Sequence, residues 1–343
     1  MANILLTTRC NRSCPYCFAK REMSGAPPDS LMTWENLVYI ADFLKSSGQR
    51  SVSLLGGEPT LHPECADFIL YLLERGFNVT VFTNGIVSPL RLDEFERHLV
   101  NVNVDRLTFV CNLNDPVQTA APLQEKKAID RFLSIMGPWA SAGFNIYRLD
   151  FTLDFVFEKI NRFGMKRHLR LGMAHPVPGK NNGFIRPEDM RQAIERLYSY
   201  RLLFDTFRVN PGLDCGFPAC KFTDEQLGWL SRFRGLDNFG CGPAVDIGPD
   251  MSVYFCFPLS NYKRKSLFEF DSIGQLDEHF SRLRDELKSE VPGIFHHCDG
   301  CRHQEEGLCS GGGLCQVVNR LIGEAPIRLP EIENELARNR MPG

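Results

Sequence analysis

From residue 2 to about residue 204 the chain alternates short β-prone runs with stretches of helical periodicity. Six β–α units can be counted in it, and that rhythm restricts it to a parallel sheet with helices packed outside. Thr33 is placed to cap a helix in which Leu37, Ile40, Ala41 and Leu44 follow the i, i+3, i+4, i+7 spacing, with Gly48 beyond its end. Strands are expected at 2–8, 51–55, 79–82, 106–111, 145–153 and 168–174. Helices are expected at 63–75, 88–100, 124–142, 154–163 and 186–204, the last being the longest, with Pro187 near its start. Cys65 shares an apolar face with Phe68, Ile69 and Leu72, and Cys111 lies in an apolar run, so both read as core. Periodicity does not separate a barrel from a flat, doubly wound sheet. In either, the working ends are the loops leaving the C-terminal ends of the strands.

The first two of those loops carry the densest chemistry. Cys10-Asn11-Arg12-Ser13-Cys14-Pro15-Tyr16-Cys17 follows the first strand, placing three cysteines at CxxxCxxC spacing. Three thiolates are one fewer than an iron–sulfur cubane or a closed zinc site needs, so a cluster here leaves one iron open. The alternatives are a zinc site completed by a distant fourth ligand, or three buried cysteines without a role. Gly56-Gly57-Glu58-Pro59 ends the second strand, two glycines allowing close backbone approach and a carboxylate able to pair with an ammonium group.

Together these motifs resemble the radical S-adenosylmethionine (SAM) superfamily, whose signature is a CxxxCxΦC loop after the first strand, Φ being aromatic (here Tyr16), and a GGE(P) motif after the second. The resemblance implies a partial (β/α)6 TIM-like barrel over residues 1–204. It implies a 4Fe–4S cluster on Cys10, Cys14 and Cys17, with SAM on the open iron. Cleavage of SAM then yields a 5′-deoxyadenosyl radical that abstracts a substrate hydrogen atom. By the same resemblance Gly56, Gly57, Glu58 and Pro59 contact the SAM methionine, and Tyr16 and Phe18 lie where adenine is held. Thr83, Asn84 and Asn112 end the third and fourth strands beside the cofactor. Arg148, Asp150 and Thr152 alternate on the expected fifth strand and should share a face. Arg170 can reach the SAM carboxylate, and His175 follows at the mouth. Asp150 and His175 are the candidate acid or base, against the alternative of structural ion pairs and satisfied polar residues.

After residue 204 helical periodicity gives way to Gly, Pro and aromatic residues, and eight of the thirteen cysteines appear: Cys215, Cys220, Cys241, Cys256, Cys298, Cys301, Cys309 and Cys315. Residues 205–320 read as a second domain with a small core stapled by metal, and 321–343 as a tail. Cys241 and Cys256 enclose an expected hairpin. The run that follows resembles the SPASM domain, which carries two auxiliary 4Fe–4S clusters, except that its last two gaps are longer and no cysteine follows Cys315. On that analogy Cys220 or Cys215 joins Cys241, Cys256 and Cys315 in the nearer cluster. Cys298, Cys301 and Cys309 then hold the outer one with the fourth ligand unassigned. The shorter twitch variant would need one cluster, on Cys241, Cys256, Cys298 and Cys301, and CxxC spacing alone would also permit a zinc ribbon.

The net charge of −3 gives no basic face for nucleic acid, and no apolar run approaches the roughly eighteen residues of a membrane span. Without an export signal, thirteen cysteines at CxxC-type spacings indicate metal ligation in a reducing compartment, hence a cytoplasmic protein. SPASM relatives mostly act on peptides or proteins, so the resemblance implies oxidative modification of a peptide or protein side chain, with a flavodoxin or ferredoxin as electron donor. Because the barrel starts at residue 2, a separate recognition protein is expected to present such a substrate. The alternatives are a twitch-type small-molecule dehydrogenase or epimerase, and a non-catalytic iron–sulfur or zinc protein.

Overall fold

The computed structural model describes residues 2–19, 30–177, 182–233, 239–260 and 262–324, the side chains as far as 319. Ten strands form one sheet: β1 (Ala2–Thr7), β2 (Ser51–Gly56), β3 (Asn78–Thr83), β4 (Leu107–Asn112), β5 (Ala140–Ile146), β6 (His168–Met173), β7 (Asn210–Leu213), β8 (Asp246–Ile247), β9 (Ser252–Tyr254) and β10 (Lys265–Ser266). Their order is β10-β9-β8-β1-β2-β3-β4-β5-β6-β7, with β1 to β7 parallel throughout. A doubly wound sheet would reverse direction at a switch point. This one never does, and right-handed crossovers then put every helix of the β1–β7 run on the same side. Arg170 on β6 lies over the Phe82 ring of β3 at 5.3 Å, although three strand spacings would separate them by roughly 14 Å in a flat sheet. The sheet is therefore curled, as a partial barrel requires.

Alternation along the strands sorts side chains between two faces. Leu54, Val79, Val81, Leu107, Phe109, Leu169 and Leu171 enter the main core, which the helices cover. Cys65 and Cys111 are both buried in that core, as free thiols. The opposite face holds a small cluster, in which Leu5 and Ala19 meet Tyr254 and Phe257 with Cys17 and Phe18 packed against them. Thr33 caps the helix Trp34–Ser46 by accepting from the Asn36 amide, as its sequence suggests.

Several elements differ from expectation. The helix before β5 is Leu123–Met136 and stops because Pro138, in the 3-10 turn Gly137–Trp139, has no N–H to continue it. β5 consequently runs over Ala140–Ile146, and Arg148, Asp150 and Thr152 fall in the loop after it rather than on one strand face. The stretch expected as a single helix to residue 204 is two, Met190–Ser199 and Arg201–Phe207, broken at Tyr200. The longest helix is instead Ile273–Glu290, whose buried Ile273, Leu276, Phe280, Leu283 and Leu287 show that helical periodicity returns after residue 204. β7 lies beyond residue 204 as well. β8 pairs in parallel with β1 and antiparallel with β9, so the expected hairpin between Cys241 and Cys256 extends the barrel sheet itself. The helix Leu314–Glu324 crosses into the expected tail, of which 325–343 lie outside the described residues.

His62 fastens the β2 exit to the segment ahead of the first helix. The Glu64 amide donates to its Nδ1 at 3.1 Å, so Nε2 carries the proton and donates to the Met32 carbonyl at 2.9 Å. Burial holds the imidazole pKa below its ordinary value. The unfolded chain thus takes up a proton more readily, and His62 stabilises the fold above about pH 6.5 and loses that contribution as pH falls. Replacing it with Gln should flatten the dependence of melting temperature on pH between 7 and 5 in thermal scans. An unchanged slope would show that other groups set acid lability.

Candidate active site

The chemistry-bearing residues gather where the parallel strands end. β1 is followed by the triad loop, in which Cys10, Cys14 and Cys17 are half-buried and in no disulfide. The Cys17 amide donates to the Cys14 carbonyl at 3.2 Å, which turns the loop so that both thiols lie near Cys10. Burial, reinforced by Glu58, Cys14 and Cys17, pushes the Cys10 thiol up to about 11. A proton is held there until a metal displaces it. Among the described residues no three His, Cys, Asp or Glu side chains converge as ligands of a single metal ion. Three thiols spaced around a loop suit a cluster, where each binds a different iron.

β2 ends in Gly56, whose missing side chain matters: a Cβ would sit 2.3 Å from the Thr7 carbonyl oxygen at the end of β1. This close approach lets the Gly57 amide donate to Thr7 at 2.8 Å and the Glu58 amide to Arg9 at 2.7 Å, clamping the GGEP turn to the root of the triad loop. Glu58 is buried. Its Oε1 accepts from the Thr60 amide at 3.2 Å, the Thr60 hydroxyl at 2.8 Å and the Thr83 hydroxyl at 2.7 Å, whereas Oε2 accepts from the Asn84 amide at 2.7 Å. Burial raises the Glu58 pKa despite these donors. A buried carboxylate with capacity left on one oxygen suits a cationic ligand group such as an ammonium. Pro59 opens the 3-10 turn that Glu58 caps.

The third and fourth strand ends complete the surround. Asn84 Nδ2 donates to Asn11 at 2.8 Å and lies 3.9 Å from Cys10 Sγ, while Asn114 Nδ2 lies 3.6 Å from Cys14 Sγ. Amide donors aimed at thiolate sulfurs orient them and stabilise their negative charge. Tyr16 is buried, donates to Asn114 Oδ1 at 2.5 Å and packs on Tyr147 with ring centroids 5.0 Å apart. Inside the sheet Asn112 Oδ1 is buried without a partner. Gly143 and Gly172 leave the space that Asn112 and Asn145 fill, since a Cβ on either would stand 2.6 Å from an amide oxygen. An orphaned buried acceptor beside the thiols is what a hydroxyl-bearing ligand such as a ribose would satisfy.

Other expected residues sit elsewhere. Phe18 belongs to the small cluster, 6.0 Å from Phe257, so its ring is committed to packing rather than to an open adenine face. Asp150 is exposed and paired with Arg148, far from the role of an interior acid or base, and Thr152 donates to Asp115 at 2.7 Å. Arg170 already has a counter-ion in Asp214, next to Cys215. His175 is buried with Nε2 3.1 Å from Cys215 Sγ, so it faces the C-terminal cysteines.

Those cysteines form two groups. Cys215 follows β7, Cys241 and Cys256 flank the β8–β9 hairpin, and Cys315 starts the last helix. Burial pushes Cys256 well up, and Cys315, Cys241 and Cys215 add to it, which places the four together. A cavity of about 370 Å³ is bordered by Cys215 on one side and by Gly240 and Gly242, either side of Cys241, on the other. Cys298, Cys301 and Cys309 follow in one short stretch, and Cys220 Sγ lies 3.9 Å from His297 Nε2, beside Cys298.

Sequence reasoning missed Arg12, Asn114 and Asn145. Arg12 is nearly buried within the triad loop, donating to Glu125 at 2.9 Å and to the Asn112 carbonyl at 3.1 Å. A cation between two ligand cysteines was the available signal. Asn145 would have emerged had β5 been placed correctly, because residues 141, 143 and 145 share the inner face.

A curled parallel sheet with three thiols at the first strand end and a buried carboxylate at the second defines a radical SAM class of site. Residues 4–132 match the family model of the Radical SAM superfamily, and the chain carries a radical SAM domain. That superfamily implies a 4Fe–4S cluster and SAM. Curated relatives include the GTP 3′,8-cyclase of Campylobacter jejuni (28% identical over 133 residues, 38% of this chain and 40% of that protein). The S-adenosylmethionine-dependent nucleotide dehydratase of Selenomonas ruminantium is 34% identical over 84 residues, 24% of this chain and 29% of that protein. The chain spans only 17% to 40% of the lengths of such relatives. Over nearly its whole length the fold is similar to Streptococcus suis SuiB bound to S-adenosylmethionine, with TM-score 0.64, 15% identity and coverage of 96% of this chain and 75% of that one. It is also similar to anSMEcpe with bound AdoMet, with TM-score 0.61, 15% identity and coverage of 98% and 100%. At that identity the likeness is one of fold. Among the described residues no helix is long and apolar enough to cross a membrane.

Gly56→Ala should cost about 1–3 kcal/mol, because the new methyl must displace the Thr7 backbone. Chemical denaturation of the two proteins under anaerobic conditions measures it. A cost near zero would show that β1 and β2 are not clamped as described.

Proposed function

We propose that the chain is a radical SAM enzyme that oxidises a side chain of a peptide or protein, with two auxiliary iron–sulfur clusters. The observation that carries this reading is the sharing of one barrel mouth by the open-iron thiol set after β1 and a buried four-cysteine group reached through Cys215 after β7. Cys10, Cys14 and Cys17 would hold a 4Fe–4S cluster, which together with SAM would supply radical abstraction of a substrate hydrogen atom. Auxiliary clusters on the C-terminal cysteines would supply a one-electron acceptor. The substrate would lose one hydrogen as an atom to the SAM-derived group and the other as a proton to solvent. Its electron would pass through the cluster to an external one-electron acceptor, while a flavodoxin or ferredoxin would donate the electron that cleaves SAM.

The chain's own residues bind and shield. Glu58 Oε2 would accept from the SAM ammonium, and Asn112 Oδ1 from the ribose. Asn84 and Asn114 direct amide donors at Cys10 and Cys14, which would orient the two sulfurs toward bound iron. Tyr16 and Tyr147 wall the triad loop from water. Arg170 and Asp214 tie β6 to the Cys215 turn. His175 orients Cys215 rather than handling a substrate proton. A peptide substrate is supported by neighbours of the same fold, SuiB bound to precursor peptide SuiA and anSMEcpe bound to Cp18Cys peptide. A nucleotide substrate is the second reading, favoured by the curated relatives, whose similarity covers at most 43% of this chain.

Anaerobically reconstituted protein with SAM and a strong reductant should form 5′-deoxyadenosine, detected by mass spectrometry, and Cys14→Ala should abolish it. No product from cluster-loaded protein would end the catalytic reading. Substrate class is read by adding peptide pools or GTP. A peptide two hydrogens lighter supports the proposal, and a rearranged nucleotide supports the second reading.

Glu58→Gln removes the charge while keeping the shape. It should weaken SAM binding roughly tenfold to a hundredfold, about 1.5–3 kcal/mol, at unchanged iron content. Equilibrium binding decides this, and unaltered affinity would free Glu58 from the cofactor.

A further inference from the structure

The outer cysteine group has three members in one short region. The Cys301 amide donates to the Cys298 carbonyl at 3.3 Å, through a turn that uses Gly300 at φ +64°. The Cys309 amide donates to His303 at 2.9 Å, and Gln304 Nε2 to the Cys298 carbonyl at 2.9 Å, so the helix Arg302–Glu305 holds Cys309 against the Cys298–Cys301 turn. Three thiols leave a cubane one ligand short.

The missing thiol comes from upstream. Cys220 Sγ lies 3.9 Å from His297 Nε2, beside Cys298. The neighbouring Lys221 ammonium sits 3.9 Å from the centre of the Phe295 ring, which stacks on His297 at 5.1 Å with planes 3° apart. The Cys298 amide donates to the Phe295 carbonyl at 3.0 Å, so the contact that anchors Lys221 also anchors the outer ligand turn.

Resting on the auxiliary-cluster reading above, we propose that Cys220 is the fourth ligand of the outer cluster, with Cys298, Cys301 and Cys309, and that Cys215 belongs to the inner set with Cys241, Cys256 and Cys315. The turn from Cys215 to Cys220 then ligates both clusters, and only four residues of chain separate the two ligands. The outer cluster is thereby tied covalently to the end of β7.

The test uses the full chain carrying Cys10→Ala, Cys14→Ala and Cys17→Ala, loaded without oxygen, so that its iron belongs to auxiliary sites. About eight irons are expected. Adding Cys220→Ala or Cys301→Ala should each halve the iron and remove the same electron paramagnetic resonance signal. Combining the two should lose no more. Cys241→Ala should remove the other signal, and Cys220→Ala with Cys241→Ala should leave little iron. Cys220→Ser controls for misfolding, since an oxygen ligand should keep the iron and shift the outer signal alone. The proposal is overturned if Cys220→Ala keeps eight irons, or removes the same signal as Cys241→Ala. With eight irons in the parent, either result leaves the auxiliary-cluster reading standing, whereas a parent holding only four overturns the two-cluster assignment and this proposal. A parent holding zinc, or neither metal, overturns that reading and this proposal together.

Discussion

Glu58 is the point through which the mouth of the barrel is held in shape. A carboxylate withdrawn from water is costly unless donors replace its hydration, and the replacements here come from separate strand ends. Thr60 lies just past β2, Thr83 closes β3, and the Asn84 amide opens the loop beyond. The same Asn84 passes the constraint to the triad loop through Asn11. One buried charge therefore sets the relative positions of two strand ends and of the loop that carries the thiols. Neighbouring glycines allow this, because the β2 exit can then lie directly on the β1 backbone.

What the sequence could convey followed from how local each signal was. The triad, the GGEP turn and the first four strands rest on contiguous motifs and strong alternation, and they appear where the residues say they should. β5 was harder, because Ala140, Ser141, Ala142 and Gly143 carry weak β-preference, while the more polar segment after Ile146 carries an alternating pattern without a strand. Arg148 and Asp150 satisfied that pattern and pair with each other in solvent. β7 contains Pro211 and Gly212, which propensity argues against, and it exists because β6 offers an edge. The helix Ile273–Glu290 was hidden by the cysteine-rich composition around it. Which cysteines group together was invisible, since it depends on where β7 and the hairpin end in space.

The thirteen cysteines divide by surroundings rather than by spacing. Burial pushes Cys65 and Cys111 up to about 12, each among apolar neighbours and remote from other thiols, so they behave as small hydrophobes. The inner four are also largely buried, yet they face one another beside His175 and a cavity. Burial isolates a thiol at one place and gathers several thiols at another, and only the second arrangement offers a set that metal could take up.

The sheet's two free edges are β7 and β10, the latter paired to the β8–β9 hairpin, and no strand pairing joins them. Cys215 stands on one bank, with Cys241 and Cys256 on the other. Every other pair of neighbouring strands is joined by hydrogen bonds that ignore the oxidation state of the cell. If the proposed inner cluster binds there, metal and sulfur would join this seam, so that oxygen, chelators or iron shortage would loosen the shape of the mouth before unfolding the sheet.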